Sequence, residues 1–382
     1  MKNFTKRAAA LLLAVVLAFS LAGCYDDNLT WAAKMGDNTL PVGGYIYYLS
    51  TAYEEAAAKV DSEAKVLDST IDGVDAEEWI IDRAQQYVNQ YFWMDQEMER
   101  LGIEMTEADY DEATTTTTTY WNTYGFGAVF EEYGIAQSSF DLAYSQYSTK
   151  YLKIFETLYG EGGEKEVSED ELRDLYNSTY YSYEYFTVPM TLPDANGEAV
   201  DMTEEETAAL TENLEGMKEK VLKGDVTMEE AAEKYVEPYN LEESTYLTAI
   251  NSESDLQSSY LPTEFIETLT AMDEEDVEVF EASTYMVVLR RGVTDDTADE
   301  SLADESTRLN LCIELRNDEY TEYAETSAAA VEGIEMNSKA LARYTPKMFS
   351  KDESVYGTST AAEETTEEET TDEETTEEES AE

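Results

Sequence analysis

The sequence predicts an α+β protein, in which an all-helical domain is split by an inserted β/α domain and followed by a disordered acidic tail. Apolar residues recur at spacings of three and four over 42–160 and again over 300–330, which is typical of amphipathic helices. Residues 180–293 instead alternate between segments rich in β-forming residues and helices that open with capping motifs. Residues 358–382 carry no large apolar side chain, so they have nothing with which to build a core.

Composition narrows the possible functions. The 382 residues include 86 acidic and 24 basic ones, and the formal net charge of -62 excludes nonspecific nucleic-acid binding, which needs a basic surface. Histidine is absent, which excludes histidine-dependent triads, histidine metal sites and imidazole acid–base catalysis. The two cysteines, Cys24 and Cys312, are too few for a disulfide-rich scaffold. The 29 tyrosines favour a folded protein, because disordered acidic chains are poor in aromatic residues.

The N-terminus resembles a bacterial lipoprotein signal. Basic residues near the start of the chain precede the apolar run 8–21, which is too short to span a membrane. The small residues Ala22 and Gly23 then lead directly to Cys24, as in a lipobox. The resemblance implies that residues 1–23 are a lipoprotein signal peptide and that Cys24 carries the lipid. We therefore expect a lipid-anchored protein on the extracytoplasmic face of the cell membrane.

Residues 24–160 are predicted to form the N-terminal helical domain. It opens with two short strands within 31–41, on either side of a turn at Gly36 and Asp37. Glycines that follow the periodic segments are predicted to end the helices. The predicted helices cover 42–60, 75–101, 106–124, 128–133 and 137–159.

Residues 161–179 are predicted to form a hinge and a linking helix, which begins at the capping box of Ser168 and Glu171. The inserted domain, 180–293, then has the order β-α-α-β-α-β-β. Its predicted strands lie at 180–188, 243–250, 277–282 and 284–291, and its predicted helices lie at 203–222, 227–235 and 262–272.

The C-terminal part, 294–345, is predicted to complete the helical domain. It contains one long helix over 300–330 and a strand near 334–337 that returns to the strand at 31–35. Residues 346–382 form the predicted acidic, disordered tail. Two roles are open for this tail, namely an ion-binding or wall-facing brush and a solvated segment that keeps the protein soluble.

Four motifs carry a family resemblance. They are Lys34-x-Gly36-Asp37-x-x-Leu40-Pro41 at the start, VSEDELRDLYN at 167–177, VLKGDVTMEEAAEKY at 221–235, and the helix and two strands at 261–292. Their order resembles the PrsA/SurA-like family of secreted peptidyl-prolyl isomerase foldases from Trp31 to about Tyr344. The resemblance implies a SurA-like helical chaperone domain split by a parvulin-like insert. It also implies unfolded or newly exported polypeptides as partners.

The insert departs from the parvulin pattern at the positions that matter for catalysis. Parvulins place one histidine in the first strand and another in the last, and these places fall near Tyr185 and Met286 here. The glycine-rich segment before the second strand is also missing from 235–249. Without histidine the parvulin hydrogen-bond network cannot form, and the X-Pro barrier of about 18–20 kcal/mol stays high. We therefore predict a degenerate insert with no catalytic residues.

Aromatic side chains are concentrated on two of the predicted helices, and they allow two interpretations. One is that they pack in the core. The other is that some of them line a surface for unfolded polypeptides, because tyrosine offers a large amphipathic area at low entropic cost. The candidate residues for such a surface are Tyr45, Tyr48, Tyr87, Tyr91 and Trp93.

Neither a metal nor a cofactor is predicted. The segment from Asp68 to Gly73 begins like a calcium-binding loop, but Trp79 occupies the twelfth position, where the bidentate glutamate is required. Cys312 lies on the apolar stripe of the last long helix, so we expect a buried, unreactive thiol.

The function expected from these observations is that of a membrane-anchored extracytoplasmic chaperone or foldase that binds unfolded exported polypeptides without proline isomerase activity. One alternative is an active isomerase with a histidine-free site. Another is a structural surface lipoprotein or a solute-binding lipoprotein. A solute-binding protein would require two lobes of repeated βα units, whereas the sequence predicts only one β-bearing segment.

Overall fold

The computed structural model describes 29–61, 64–193, 198–236 and 246–350. The predicted signal peptide, the lipid-attachment residue Cys24 and the tail beyond Ser350 lie outside the described residues. The chain divides into two compact units, and the division falls within two helices. The first unit comprises Met1–Tyr151 and Ala324–Glu382, and the second comprises Leu152–Tyr323.

The helices and strands follow the predicted order closely. The helices are Val42–Ala58 (α1), Ala76–Leu101 (α2), Glu107–Thr118 (α3), Phe126–Glu132 (α4), Gln137–Phe140 (α5), Gln146–Tyr159 (α6), Glu169–Thr179 (α7), Glu204–Leu222 (α8), Met228–Val236 (α9), Glu253–Ser258 (α10), Thr263–Ala271 (α11), Ala298–Ala303 (α12), Glu305–Ala329 (α13) and Ser338–Leu341 (α14). The strands are Trp31–Met35 (β1), Asn38–Pro41 (β2), Thr70–Ile71 (β3), Val74–Asp75 (β4), Tyr180–Pro189 (β5), Thr191–Pro193 (β6), Ala199–Asp201 (β7), Leu247–Ser252 (β8), Val277–Ala282 (β9), Tyr285–Arg291 (β10) and Glu335–Met336 (β11).

The core of the first unit forms where α1 packs against α2. The start of α2 is fixed by Asp75, whose carboxylate accepts a hydrogen bond from the backbone N–H of Glu77 at 3.0 Å. Its end is fixed by Gly102, which adopts a left-handed φ of 70° that side chains disfavour. Both ends agree with the sequence prediction.

A small antiparallel sheet, in the order β11-β1-β2, joins the two ends of the first unit. Ala33 of β1 pairs with Met336 of β11, so the predicted return of a C-terminal strand to the first strand is confirmed. The side chain of Asn337 strengthens this connection, because it donates a hydrogen bond to the carbonyl of Trp31 at 2.9 Å. The strand itself is shorter than predicted.

The ordered C-terminal chain continues past residue 345, where the tail was predicted to start. A 3-10 turn at Pro346–Met348 leads to Phe349, which is buried. The ring of Phe349 lies 5.7 Å from that of Tyr53 and 5.0 Å from that of Tyr133. The prediction missed this segment because two adjacent apolar residues, Met348 and Phe349, give no periodic signal.

The second unit contains a four-stranded antiparallel sheet in the order β8-β5-β10-β9. Helices α8 and α9 pack on one face, where they cover Phe186 and Met286. Helices α10 and α11 pack on the other face, against Tyr183 and Leu289. The chain enters and leaves this sheet at neighbouring points, because the N–H of Gly292 bonds to the carbonyl of Ser182 at 2.8 Å.

Several predicted elements differ from the structure. The long helix predicted over 300–330 is two helices, because Asp304 interrupts it and accepts a hydrogen bond from the N–H of Thr307 at 2.8 Å, as an N-cap does. Strand β8 begins at Leu247, and the earlier part of its predicted range, up to residue 245, lies outside the described residues. The hairpins β3–β4 and β6–β7 and the helix α10 were not predicted, because segments this short carry little periodicity.

Candidate functional site

The two predicted parvulin positions, Tyr185 and Met286, lie on neighbouring strands but on opposite faces of the sheet. Tyr185 packs its ring 4.9 Å from that of Phe265 on α11, whereas Met286 is buried among the residues under α8 and α9. In the strand register, Tyr185 lies opposite Leu289 and Met286 lies opposite Val188. The structure therefore does not bring Tyr185 and Met286 together.

A shift of one residue does not bring a polar partner to Tyr185. Both neighbours of Met286 lie on the face of Tyr185. Val287 has an aliphatic side chain that cannot donate a hydrogen bond to an amide, and the exposed Tyr285 lies opposite Pro189, four residues along β5 from Tyr185. Nearby, Tyr183 donates a hydrogen bond to the side-chain oxygen of Asn251 at 2.9 Å. Burial raises the pKa of Tyr183 to about 12, so its phenol stays neutral.

The five aromatic residues proposed from the sequence as a polypeptide-binding surface are mostly internal. Tyr45, Tyr48, Tyr91 and Trp93 are between 2% and 5% exposed, and only Tyr87 is partly exposed. The reason is that α1 and α2 turn their aromatic faces toward each other, so that the rings of Tyr48 and Tyr87 stack at 5.6 Å. These side chains form core contacts, and a candidate surface has to be sought elsewhere.

The structure shows an aromatic pocket of ≈ 190 Å³ on the first unit, which the sequence analysis did not single out. We call it the aromatic pocket, and its lining residues are Tyr47, Thr51, Glu54, Tyr120, Phe126, Phe130, Phe140 and Tyr144. A signal for it exists in the sequence, because aromatic residues recur throughout 120–144.

Helix α1 supplies one wall of the pocket. Tyr47, Thr51 and Glu54 follow one another at spacings of four and three, which places them on one face of a helix. The hydroxyl of Thr51 donates to the carbonyl of Tyr47 at 3.1 Å, so its polar group is satisfied within the helix. The wall therefore presents one ring, one methyl-bearing side chain and one carboxylate.

Two further rings of the pocket lie on π-helical turns. Tyr120 is in the turn Thr119–Thr123, and Tyr144 is in the turn Asp141–Ser145. Such turns insert an extra residue and re-aim side chains, and they are frequent at functional sites. The hydroxyl of Tyr144 donates to that of Tyr120 at 2.9 Å, which holds the two rings together. Burial, followed by this hydrogen bond, raises the pKa of Tyr144 to about 12.

A buried threonine of α3, two residues before the first π-helical turn, contacts the second one. The hydroxyl of Thr117 lies 2.8 Å from a carboxylate oxygen of Asp141 and 2.7 Å from the hydroxyl of Ser145. These contacts position the segments that carry Tyr120 and Tyr144.

The floor of the pocket is a packed set of rings. Phe140 stacks on Phe130 and on Tyr144, with ring centroids 5.0 Å apart in both pairs, and Tyr47 meets Phe140 edge-on at 5.3 Å. Tyr124 lies beside the pocket and is 61% exposed, with its ring edge-on to a pocket ring. The pocket is therefore an aromatic surface that is already formed and that solvent can reach.

Glu54 carries the only carboxylate among the described residues that line this pocket. Across the described part of the chain, it has no hydrogen-bond or ion-pair partner, and its partial burial raises its pKa. The next residue, Glu55, differs in both respects, because it accepts a hydrogen bond from Arg83 at 2.7 Å and another from Tyr87.

The described residues contain no cluster of three or more potential metal ligands. None of the helices described has the length and apolar character needed to cross a membrane. Cys312 is buried, as predicted, and burial raises the pKa of its thiol, which disfavours the reactive thiolate.

No protein-family description matches the chain. No curated protein matches it. Among solved structures, the chain is similar to PrsA from Bacillus subtilis at 12% identity and a TM-score of 0.29, with 72% of this chain and 96% of that chain covered. It is also similar to foldase protein PrsA from Streptococcus pneumoniae at 13% identity and a TM-score of 0.33, with the same coverage of 72% and 96%. TM-scores of this size do not establish a shared backbone arrangement.

Proposed function

We propose that the chain is a membrane-anchored extracytoplasmic protein that binds unfolded exported polypeptides and does not catalyse proline isomerisation. The observation that carries this proposal is the open aromatic pocket on the first unit. Its volume of ≈ 190 Å³ is below the range of about 300–1,000 Å³ that is usual for small-molecule sites. A pocket of this size suits one side chain of a longer chain.

The lining chemistry suits an unfolded polypeptide. Apolar and aromatic side chains, which are exposed only when a chain is unfolded, gain contact area against rings without needing a specific hydrogen-bond pattern. Tyr47, Tyr120 and Tyr144 supply such rings with few rotatable bonds, and the exposed Tyr124 extends the surface beyond the pocket.

The arrangement of the inserted sheet supports the absence of isomerase activity. Catalysis on an X-Pro bond needs polar groups held close to the twisting amide. By the family resemblance, the two positions at which parvulins carry histidine fall near Tyr185 and Met286. These two residues face opposite sides of the sheet, with Leu289 opposite Tyr185 and Val188 opposite Met286. We therefore propose that the insert is a scaffold.

The functional test uses the full chain in two assays on the same preparation. We expect it to suppress the aggregation of a reduced, unfolded client at low salt and to leave the rate of X-Pro isomerisation in a test peptide at background. An isomerisation rate that is abolished by Tyr185→Ala would contradict the scaffold role and support the histidine-free isomerase. Failure to hold any unfolded client would favour the structural surface-protein alternative.

The membrane anchor is proposed from the lipobox resemblance alone, and it has a separate test. We expect Cys24→Ala to leave the precursor uncleaved and without fatty-acid label when it is produced in a bacterium that processes lipoproteins. The wild-type chain, in the same cells, should take up the label. A labelled Cys24→Ala protein would show that the lipid, if present, is attached elsewhere.

A further inference from the structure

Among the described residues, the Glu54 carboxylate has no structural partner that explains an acid at this position. Its neighbour Glu55 is held by Arg83, at 2.7 Å, and by the hydroxyl of Tyr87. Glu54 has neither a hydrogen bond nor an ion pair among the described residues, yet it lines a pocket made mainly of rings. An unpaired, partly desolvated charge lowers stability, so a neutral residue would serve the fold better. A residue that is unfavourable for the fold is a candidate for function.

The surroundings of this carboxylate complement a cation that has an apolar stem. The faces of aromatic rings carry negative potential and attract ammonium and guanidinium groups. Lysine and arginine carry such groups on chains of methylenes, which pack well against rings. Tyr47, Tyr120 and Tyr144 supply the rings, and Glu54 supplies the opposite charge on the same helical face as Tyr47.

The size of the aromatic pocket and the net charge of the protein indicate the same kind of ligand. A pocket of ≈ 190 Å³ accommodates one extended side chain and little more. The net charge of -62 favours the approach of basic segments over acidic ones, because the summed field of the protein steers charged partners.

We propose that the aromatic pocket selects a basic side chain, lysine or arginine, of a bound unfolded polypeptide, with the stem on the rings and the cationic group at the Glu54 carboxylate. This inference rests on the proposed function and names the class of segment that the pocket recognises. It predicts that the protein distinguishes client segments by a single basic residue.

The test compares three unstructured peptides that differ only at one central position, which is lysine, norleucine or glutamate. Norleucine keeps the stem of lysine without the ammonium group, so it separates the charge from the apolar contact. Affinities are measured by titration calorimetry at low salt for the full chain, for Glu54→Gln, and for Glu78→Gln. The last variant is the matched control, because Glu78 is exposed and lies outside the pocket lining.

We expect the wild-type chain to bind the lysine peptide about tenfold more tightly than the norleucine peptide, which is about 1.4 kcal/mol. The glutamate peptide should bind most weakly. The preference for lysine should disappear in Glu54→Gln and persist in Glu78→Gln. Equal affinity for lysine and norleucine in the wild-type chain, or loss of the preference in both variants, would overturn the inference.

The outcomes separate this inference from the proposed function on which it rests. Equal binding of the lysine and norleucine peptides would leave polypeptide binding intact and reject only the selection of basic residues. Absence of binding for all three peptides and for an unfolded client protein would reject the proposed function itself. Free n-butylammonium is added as a further probe, and affinity for it equal to that for the lysine peptide would reject a polypeptide as the ligand.

Discussion

Glu54 and Glu55 are adjacent on α1, yet their carboxylates lie in different surroundings. Glu55 belongs to a network in which Arg83 also bonds to Glu325 at 2.7 Å and lies over the ring of Tyr87. Such a network offsets the cost of partial burial. Glu54 has no comparable partner in the described chain and lines the aromatic pocket instead. The contrast shows that sequence position and residue type alone do not reveal which glutamate stabilises the fold through its carboxylate.

Glu54→Gln is expected to leave the protein at least as stable as the wild type near neutral pH. Because burial raises the pKa of Glu54 above its ordinary value of 4.5, the ionised form is disfavoured in the folded state. The raised pKa contributes to the free energy of unfolding at low pH, where Glu54 is protonated, and this contribution is lost as pH rises through the folded-state pKa. Glutamine is neutral at every pH and avoids that loss. We therefore expect the free energy of unfolding of the variant to exceed that of the wild type by up to about 0.5 kcal/mol near neutral pH, and to equal it below the ordinary glutamate pKa.

The measurement is thermal unfolding of Glu54→Gln and wild type at both pH values. The control for the charge change is Glu112→Gln, because Glu112 is exposed in the middle of α3. A marked loss of stability in Glu54→Gln near neutral pH would mean that the carboxylate supports the fold, contrary to the assignment made here.

At the scale of elements, local signals identified most helices and strands correctly. The capping box of Ser168 and Glu171 opens α7, and the threonine hydroxyl of Thr203 caps α8, as the sequence indicates.

The sheet face on which each strand residue lies was harder to predict. Residues alternate between faces with a period of two, so placing Tyr185 relative to Met286 requires the pairing register of β5 with β10. That register is set by long-range packing and cannot be derived from either segment alone.

The aromatic pocket could be predicted only in part, for a similar reason. The sequence shows the recurring rings of 120–144 and the apolar face of α1. It does not show the two π-helical turns that carry Tyr120 and Tyr144. These turns are held by contacts of Thr117 with Asp141 and Ser145, which are distant along the chain. The candidate residues chosen from α1 and α2 were mostly core residues, because dense aromatic patterns look alike in cores and at binding surfaces.

Gly127→Ala is expected to disturb the α4 wall of the pocket. A Cβ at Gly127 would lie 2.5 Å from the indole nitrogen of Trp121, so the ring has to move. We expect a loss of about 1–3 kcal/mol in the free energy of unfolding, as for overpacked sites. The measurement is urea unfolding followed by tryptophan fluorescence.

Gly216→Ala provides the matched control for this substitution. Gly216 lies within α8, and a Cβ there meets nothing within 4 Å. Alanine should stabilise that helix by up to about 1 kcal/mol, because it has the higher helix propensity. Equal effects at the two glycines would mean that the close approach at Trp121 relaxes without cost.

At the scale of the whole molecule, the chain combines two units with different roles in the proposed function. The first unit carries the aromatic pocket, and its β1–β11 pairing joins the N-terminal and C-terminal segments. The second unit carries the sheet on which Tyr185 and Met286 lie on opposite faces. The proposed function therefore places polypeptide binding on the first unit and expects no proline isomerase activity from the second.

The central claim, that unfolded polypeptides bind in the aromatic pocket, is tested most directly by filling the pocket. Thr51→Phe places a ring in it, and Thr115→Phe is the matched control. Thr115 is an exposed helical threonine whose hydroxyl bonds to the carbonyl four residues earlier at 2.9 Å, as that of Thr51 does at 3.1 Å. The affinity of the full chain for a reduced, unfolded client is measured at low salt, with thermal unfolding as a check on folding. We predict a loss of affinity of about tenfold or more in Thr51→Phe and wild-type affinity in Thr115→Phe. Unchanged client affinity in a folded Thr51→Phe protein would contradict the account.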